Sequence, residues 1–185
     1  MKITVINGHP GPDFQHFDAT LASLTQRWQA QSHDVTHHVL RELDIRPCTG
    51  CWSCWWKTPG LCSVSDDTHR LRRDYLHADL VLLASPLRMG FPSALLKTVI
   101  DKLIPLYHPY IELGHGECVH RPRYDRYPAL ATLIEPEPQD TAEDLEVVQR
   151  YFERFAFHFR SRLLAQLTTR DSFDAMVRKT ARLAA

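Results

Sequence analysis

The sequence predicts one α/β domain over residues 1–185, built as a three-layer doubly wound sandwich around a five-stranded parallel sheet. Short β-branched or leucine-rich runs alternate with amphipathic segments along the chain, five of each. This order favours parallel strands joined by right-handed helical crossovers. The 185 residues are 44% hydrophobic and 24% charged, which suits a globular domain with one core.

The first half of the chain supplies three of the strands. Residues 2–7 form an apolar run that stops at Gly8, and residues 35–40 form a second run. Residues 79–85 are apolar throughout their middle, so we expect a central strand that is covered on both faces.

Helices are expected between these strands. Apolar residues recur at spacings of four, three and four over 17–28, which is the period of a helix face. A second helix over 66–76 can be capped by Asp66 and Asp67, and a third over 92–103 has Pro92 where a first turn tolerates proline.

The remaining chain continues the alternation. It predicts a strand at 129–134, a helix at 140–159, a strand at 163–167 and a helix at 173–183. Two stretches stand outside it: a cysteine-rich loop at 46–65 and a long irregular loop at 104–127. A long loop in a compact domain is often a lid or an interface.

The charge balance excludes several classes of function. Lys and Arg total 22 and Asp and Glu total 22, so the chain lacks the basic footprint of a nucleic-acid or anionic-membrane binder. No apolar run approaches the roughly 20 residues that cross a bilayer, so no membrane span is expected. The N-terminus reads as a strand without a secretion signal, and we therefore expect a cytoplasmic protein.

In a doubly wound sheet, ligands bind beyond the carboxyl ends of the strands, which singles out four loops: 8–16, 48–67, 85–91 and 135–139. Loop 8–16 leads into a helix N-terminus, where free N–H groups favour a phosphate. It is neither a G-x-G-x-x-G fingerprint nor a Walker loop. A proline-rich connection without a ligand is the alternative, and a carboxylate at Asp13 would have to point away from a phosphate.

The loop 85–91 follows the most apolar strand. Its proline and glycine allow a sharp turn and a close approach of backbone to a flat ligand. Arg88 is placed to stabilise an anionic ring there, although an arginine in a loop is more often solvated or paired at the surface.

Four of the five cysteines follow the spacing C-x2-C-x2-C-x7-C. The first three have the compact spacing of [4Fe-4S] ligands, and thiolates suit such clusters. Inert or redox-active thiols and a zinc site are the alternatives. The odd total and the crowding argue against a disulfide framework.

These residues resemble a known family. The segment 47–54, Cys62, Asp66-Asp67, Ser85-Pro86-Leu87, and Leu96-Lys97 with Asp101 are similar to flavodoxin-like NAD(P)H-dependent FMN reductases, within them the iron-sulfur flavoprotein branch. The resemblance implies a flavodoxin-like fold, non-covalent FMN, and NADPH or NADH as electron donor. It also implies a homodimer or homotetramer whose flavin sites are completed by a neighbouring subunit.

The resemblance also assigns the site residues. Those that would bind the FMN phosphate are Gly8, His9, Pro10, Gln15, His16 and Phe17. Those that would flank the isoalloxazine ring are Pro86, Leu87, Arg88, Met89 and Gly90. Those that would hold a cluster are Cys48, Cys51, Cys54 and, as the fourth ligand, Cys62. The chain departs from the family at Phe14, Gln15 and His16, where Ser, Asn or Thr donors are common, and at Arg88, where an aromatic is common.

The expected function is an FMN-dependent NAD(P)H oxidoreductase that passes electrons to a flavin, a quinone or another small acceptor. No catalytic side chain is expected, because the flavin carries the chemistry. The alternatives are an FMN electron-transfer protein, with or without a cluster, that acts with a protein partner, and a flavodoxin-like scaffold that no longer binds a cofactor.

Overall fold

A computed structural model describes residues 1–11, 15–114 and 116–181 of the chain. The expectations for Asp13 and Phe14, and for the helix beyond residue 181, lie outside these ranges. The strands are β1 (Lys2–Asn7), β2 (Asp34–Val39), β3 (Leu80–Arg88), β4 (Phe91–Pro92), β5 (Tyr107–Gly114), β6 (Glu117–Pro122), β7 (Ala129–Glu135) and β8 (Leu163–Thr168). The helices are α1 (Gln15–Ala30), α2 (Ser53–Trp56), α3 (Thr68–His77), α4 (Ala94–Asp101), α5 (Ala142–His158) and α6 (Phe173–Ala181).

Five strands form a parallel sheet in the order β2-β1-β3-β7-β8. This confirms the predicted doubly wound fold, in the flavodoxin-like strand order. Asn7 at the end of β1 lies opposite Val39 of β2 and Ala84 of β3. The loops that follow these three strands therefore leave from one edge of the sheet.

Helices cover both faces of the sheet. One apolar cluster packs α1 and α6 against the sheet through Phe17, Leu21, Leu24, Trp28 and Met176. A larger cluster on the opposite face joins α3, α4 and α5 through residues such as Leu71, Val99 and Phe152. The middle of β3 is fully buried between the two, as its uninterrupted apolar run predicts.

The structure corrects the prediction of a loop at 85–91. Strand β3 continues through Pro86 and Leu87 to Arg88 and pairs with β4 in a short antiparallel hairpin. Met89 and Gly90 form its turn with φ of 54° and 73°. Two consecutive residues with positive φ match the twist of paired strands. Met89 and Gly90 therefore form a hairpin turn rather than part of an irregular loop.

The prediction of an irregular loop at 104–127 is wrong as well. A short 3-10 turn at Ile104–Leu106 leads into the antiparallel hairpin of β5 and β6. Ion pairs from the other end of the chain hold this hairpin, since Arg154 contacts Glu117 and Arg160 contacts Glu112. Local sequence patterns do not reveal partners that lie about 40 residues away.

Two helix starts differ in detail from the prediction. Asp66 accepts the Thr68 amide at 3.0 Å, whereas the Asp67 carboxylate accepts the Asp44 amide at 2.8 Å. Helix α4 is capped by Ser93, while Pro92 lies before the cap in β4. In the part of the chain that is described, no helix has the length and apolar character to cross a bilayer.

Candidate functional site

The first loop begins in a buried hydrogen-bond network at the end of β1. Asn7 is fully buried, and its Nδ2 donates to Asp18 Oδ1 at 2.7 Å while its Oδ1 accepts the His9 amide at 3.0 Å. This side chain therefore connects the strand end, the loop and the first turn of α1.

Arg41, which follows β2, completes this network. Its Nη2 lies 2.5 Å from Asp18 Oδ2, and its Nη1 donates to the His9 carbonyl at 3.4 Å. The only acidic residue in the first turn of α1 is Asp18, and this pair neutralises it. Within the described part of this helix start, the acidic side chain of the first turn therefore does not oppose an anion at the positive end of the helix dipole.

Gly8 is required by close packing behind the loop. A Cβ at this position would lie 2.8 Å from Leu96 Cβ and 3.2 Å from the Ala84 carbonyl oxygen. The Gly8 amide donates to that carbonyl at 2.8 Å, and the Gly8 carbonyl accepts Ser93 Oγ at 2.5 Å. The role seen for Gly8 is to bring the first loop against β3 and α4.

His9 is buried beneath the loop. Its Nδ1 accepts the Gly11 amide at 3.0 Å, so a neutral ring carries its proton on Nε2. Nε2 lies 3.2 Å from Glu135 Oε2 but is not aligned for a hydrogen bond. The imidazole also contacts the Phe17 ring, with centroids 5.3 Å apart.

The predicted phosphate-binding residues thus divide into two groups. Pro10 in the first loop and Gln15 and His16 at the start of α1 are exposed. Gly8, His9 and Phe17 are buried, and the Phe17 ring is part of the core.

The β3–β4 hairpin presents its turn to solvent. Pro86 and Leu87 are buried, whereas Met89 is 98% exposed and Arg88 lies at the surface. The space around Gly90 is open, because a Cβ there would meet no atom within 4 Å. Glu137 accepts the Met89 amide at 3.3 Å and lies 3.9 Å from Arg88 Nη1.

The loop after β7 supports this turn from the side. Glu137 donates its amide to Asp140 Oδ2 at 2.7 Å, and Arg170 donates to the carbonyls of Glu137 and Asp140 at 2.7 and 2.9 Å. Glu137 thereby couples the exposed turn to a braced loop at the same edge of the sheet.

All four predicted cluster cysteines line one apolar cavity of about 60 Å³. Its other walls include Trp52, Lys102, Ile104 and Pro105. Trp55 docks the cysteine segment by donating to the Ile104 carbonyl at 3.3 Å. The cavity shares no lining residue with the described parts of the first loop or with the 86–90 turn, so one chain holds two separate places.

The thiols differ in their electrostatic environment. Hydrogen bonds from Ser53, first from its side chain and then from its backbone, and from Ser63 lower the pKa of Cys51 to about 6. Burial, followed by the nearby thiolates of Cys62 and Cys48, raises the pKa of Cys54. The Cys51 thiol is therefore the more easily ionised of these two.

The donor set suits a cluster better than a single ion. In the described ranges no three His, Cys, Asp or Glu side chains form a preformed metal-ion site, and all five cysteines are free. A cubane binds each thiolate through a different iron and so spreads its ligands around a larger body than one ion. Four cysteines are among the residues that line the apolar cavity, and thiolates are the soft donors that such clusters take.

A buried ion pair adjoins the cavity, which Lys102 helps to line. Lys102 Nζ contacts Asp66, and both side chains are essentially inaccessible to solvent. Burial acts to raise the pKa of Asp66, but hydrogen bonds from Lys102 and Thr68 hold it at about 2. Asp66 therefore remains ionised.

Several of these residues escaped the sequence reasoning. The sequence shows that Asn7 ends the first strand and that an arginine follows the second. It does not show that Asn7, Asp18 and Arg41 form one network, because the network exists only when β1 and β2 are paired. The buried Lys102 could not be distinguished from a surface lysine at a helix end.

Comparison with known proteins gives a consistent result. Residues 1–115 match the model of the family described as NADPH-dependent FMN reductase. The chain is 31% identical over 107 residues to an iron-sulfur flavoprotein of Methanocaldococcus jannaschii, covering 57% of this chain and 53% of the relative. It is 33% identical over 123 residues to an iron-sulfur flavoprotein of Archaeoglobus fulgidus, covering 64% and 53%. The chain thus spans about half the length of the curated relatives it matches.

Solved structures share the fold. A NAD(P)H:quinone oxidoreductase from Methanothermobacter marburgensis superposes with a TM-score of 0.62 at 15% identity, over 99% of this chain and 95% of that one. An azoreductase from Bacillus anthracis gives 0.61 at 16% identity, over 100% and 95%.

Proposed function

The chain belongs to the NADPH-dependent FMN reductase family, and from that membership we propose that it is an FMN-dependent NAD(P)H oxidoreductase. The electrons would come from NADPH or NADH and pass to a flavin, a quinone or another small acceptor. The observation that carries the proposal is that Arg41 neutralises Asp18 in the first turn of α1. This turn lies at the same edge of the sheet as the exposed turn of the β3–β4 hairpin.

The start of α1 would bind the FMN phosphate. The arginine at position 41 removes the repulsion that Asp18 would otherwise exert on an anion there. Pro10, Gln15 and His16 would supply the exposed surface of this site, with the amides of Gln15 and His16 as donors, and Gly8 would bring the loop close to β3 and α4. His9 and Phe17 would position the loop from below.

The β3–β4 turn would border the flavin ring. Pro86 and Leu87 fix the turn in the core, so that Arg88, Met89 and Gly90 project from a rigid base. Bound FMN would supply two-electron redox chemistry at its ring. Arg88 would provide positive charge beside it, held near Glu137.

The thiols of Cys48, Cys51, Cys54 and Cys62 would hold a [4Fe-4S] cluster in the cavity that they line. Their shared cavity and soft donor chemistry support this part of the proposal. Thiols of this kind persist in the reduced state in the cytoplasm, which is the compartment that we propose.

We propose a single flavodoxin-like domain that assembles as a homodimer or homotetramer. Exposed apolar side chains on the cysteine segment and the β5–β6 hairpin offer surface for assembly, among them Trp56, Leu61, Ile111 and Leu113. A neighbouring subunit could then bring its thiol cavity towards the flavin site, since the two places are separate within one chain.

The test is an absorbance spectrum of anaerobically purified protein, supplied with FMN and then with NADPH or NADH. Bleaching of the flavin bands is the expected result. Bound flavin that does not respond to either nicotinamide would instead indicate an electron-transfer protein. A colourless protein that takes up no FMN would contradict the proposal and indicate a scaffold.

A further inference from the structure

A cleft of about 310 Å³ lies between helix α3, the cysteine segment and the residues that flank the β5–β6 hairpin. We call it the α3 cleft. Its volume reaches the lower end of the range of small-molecule pockets. It shares no lining residue with the thiol cavity, with the described parts of the first loop or with the 86–90 turn. The α3 cleft is therefore a separate place from the sites described above.

The wall that α3 supplies is rich in positive charge. Its lining residues have the spacing of one helix face and are His69, Arg72, Arg73, Leu76 and His77. A helix face that meets other elements is usually apolar, but this one presents two guanidinium groups and two imidazoles. Among the described residues that line the α3 cleft there is no Asp or Glu. The lining therefore favours an anion.

Arg72 carries a charge that the fold compensates only in part. The residue is 4% exposed, its Nη1 donates to Thr68 Oγ1 and to the Lys102 carbonyl, both at 3.2 Å, and its Nη2 has no hydrogen-bond partner. Thr68 donates to Asp66, which also contacts Lys102, so one buried carboxylate serves two buried cations. Because an arginine keeps its charge in a protein, an anion in the cleft would stabilise this arrangement.

Two further guanidinium groups adjoin the cleft. The Arg73 side chain is 65% exposed, and its Nε lies 3.4 Å from Asp74 Oδ1. Arg123 lies behind the wall at Gly60, where a Cβ would be 3.5 Å from Arg123 Cδ. Its Nε and Nη2 donate to two backbone carbonyls. The hydrogen bonds of Arg123 thus go to neutral groups and leave its positive charge beside the cleft.

The rest of the lining is largely apolar. Leu76 of α3 and Leu106 face Leu61 and Tyr124 across the cleft. Leu61 is 58% exposed and Tyr124 is 38% exposed, so a ligand that covered them would remove apolar surface from water. Positive charge beside apolar and aromatic walls suits an organic anion better than an inorganic one.

We propose that the α3 cleft binds a small organic oxyanion, which is a carboxylate or a phosphate attached to an apolar or aromatic body. The planar guanidinium groups of Arg72 and Arg73 suit the oxygens of either group. The leucines and Tyr124 would contact the body. This site is additional to the proposed FMN and cluster sites and depends on neither.

The experiment measures Kd values by ligand-observed NMR titration of the chain with one equivalent of FMN, which fills the proposed flavin site. The probes are phenyl phosphate and benzoate, while phenol and inorganic phosphate represent the body and the anion alone. The variants are Arg72→Gln and Arg73→Glu. Arg70→Glu is the matched control, since Arg70 is 70% exposed on the same helix and does not line the cleft. Circular dichroism checks the fold of each variant.

We expect phenyl phosphate or benzoate to bind with a Kd of about 1 mM or lower. Phenol and inorganic phosphate should bind at least tenfold more weakly, and the tighter of the two organic anions identifies the favoured group. R72Q and R73E should each weaken binding at least tenfold, whereas R70E should stay within about threefold, because an exposed charge outside the cleft is screened. If R72Q does not fold, the comparison of R73E with R70E decides, since both positions are on the surface.

Three results would overturn the proposal: no saturable binding of either organic anion up to about 10 mM, equal losses in R73E and R70E, or phenol binding as tightly as phenyl phosphate. A chain that takes up no FMN contradicts the proposed function instead. The titration of the α3 cleft stays valid in that case, because the variants that locate the ligand lie outside the first loop.

Discussion

Replacing Lys102 with Met tests the contribution of the buried Lys102–Asp66 ion pair to stability. The change leaves the inaccessible Asp66 carboxylate without its counter-charge, and breaking a buried pair costs about 3–5 kcal/mol. Asp66 keeps hydrogen bonds from the Thr68 and Arg46 amides, both at 3.0 Å. We therefore expect a loss near the lower limit, about 3 kcal/mol, with a Tm lower by about 6–12 °C.

The pH dependence of the free energy of unfolding gives a second test of K102M, because its direction is predicted as well. In the wild type the pKa of Asp66 is about 2 against an ordinary value of 3.8, so this carboxylate stabilises the fold above pH 3.8. That contribution is lost as the pH falls towards 2. Burial without Lys102 raises the pKa in K102M, and we expect the deficit relative to wild type to shrink as the pH falls from 7 to 3.

The assay is urea unfolding of metal-free protein across this pH range. Lys97→Met is the matched control, since Lys97 lies on the surface and pairs with Asp101 at 2.6 Å. Exposed pairs contribute less than about 1 kcal/mol, so K97M should change the free energy of unfolding little. K102M combined with D66N should recover at least half of the loss. A loss under about 1 kcal/mol for K102M, or a deficit independent of pH, would refute the reasoning.

Three further predictions concern the edge of the sheet. Replacing Gly90 with Val puts a β-branched residue at a φ of 73° and should weaken FMN binding at least tenfold in a fluorescence titration; unchanged affinity would mean that the ring lies elsewhere. Arg41→Met exposes the proposed phosphate to the Asp18 carboxylate and should raise the Kd for FMN about tenfold to a hundredfold, with D18N in the same chain restoring most of the affinity. Burial lowers the pKa of His38 below 6.5, against the pull of Asp74, so the fold should lose stability as the pH falls below about 6.5, and urea unfolding of H38Q should show a weaker pH dependence than wild type.

The five-stranded sheet could be predicted because its strands carry strong local signals. The middle of β3 is apolar on both faces, and α1 buries the residues at helical spacing that the sequence displays. The β5–β6 hairpin could not be predicted in this way, because its ion pairs with Arg154 and Arg160 join it to residues far away in the sequence and leave no local pattern.

The same distinction applies to the site. The cysteine spacing predicts that the four thiols act together, and in the structure Cys48, Cys51, Cys54 and Cys62 line one cavity. Lys102, which lines this cavity, looks in the sequence like a surface residue at a helix end. Its burial depends on how the end of α4 packs against the cysteine segment, which no local pattern encodes.

The most direct measurement of the proposed binding mode is a crystal structure of the chain with FMN. The account predicts the phosphate at the first turn of α1, close to the Arg41–Asp18 pair, and the flavin ring beside the Met89–Gly90 turn. FMN bound away from this edge of the sheet, or crystals grown with saturating FMN that contain none, would contradict it.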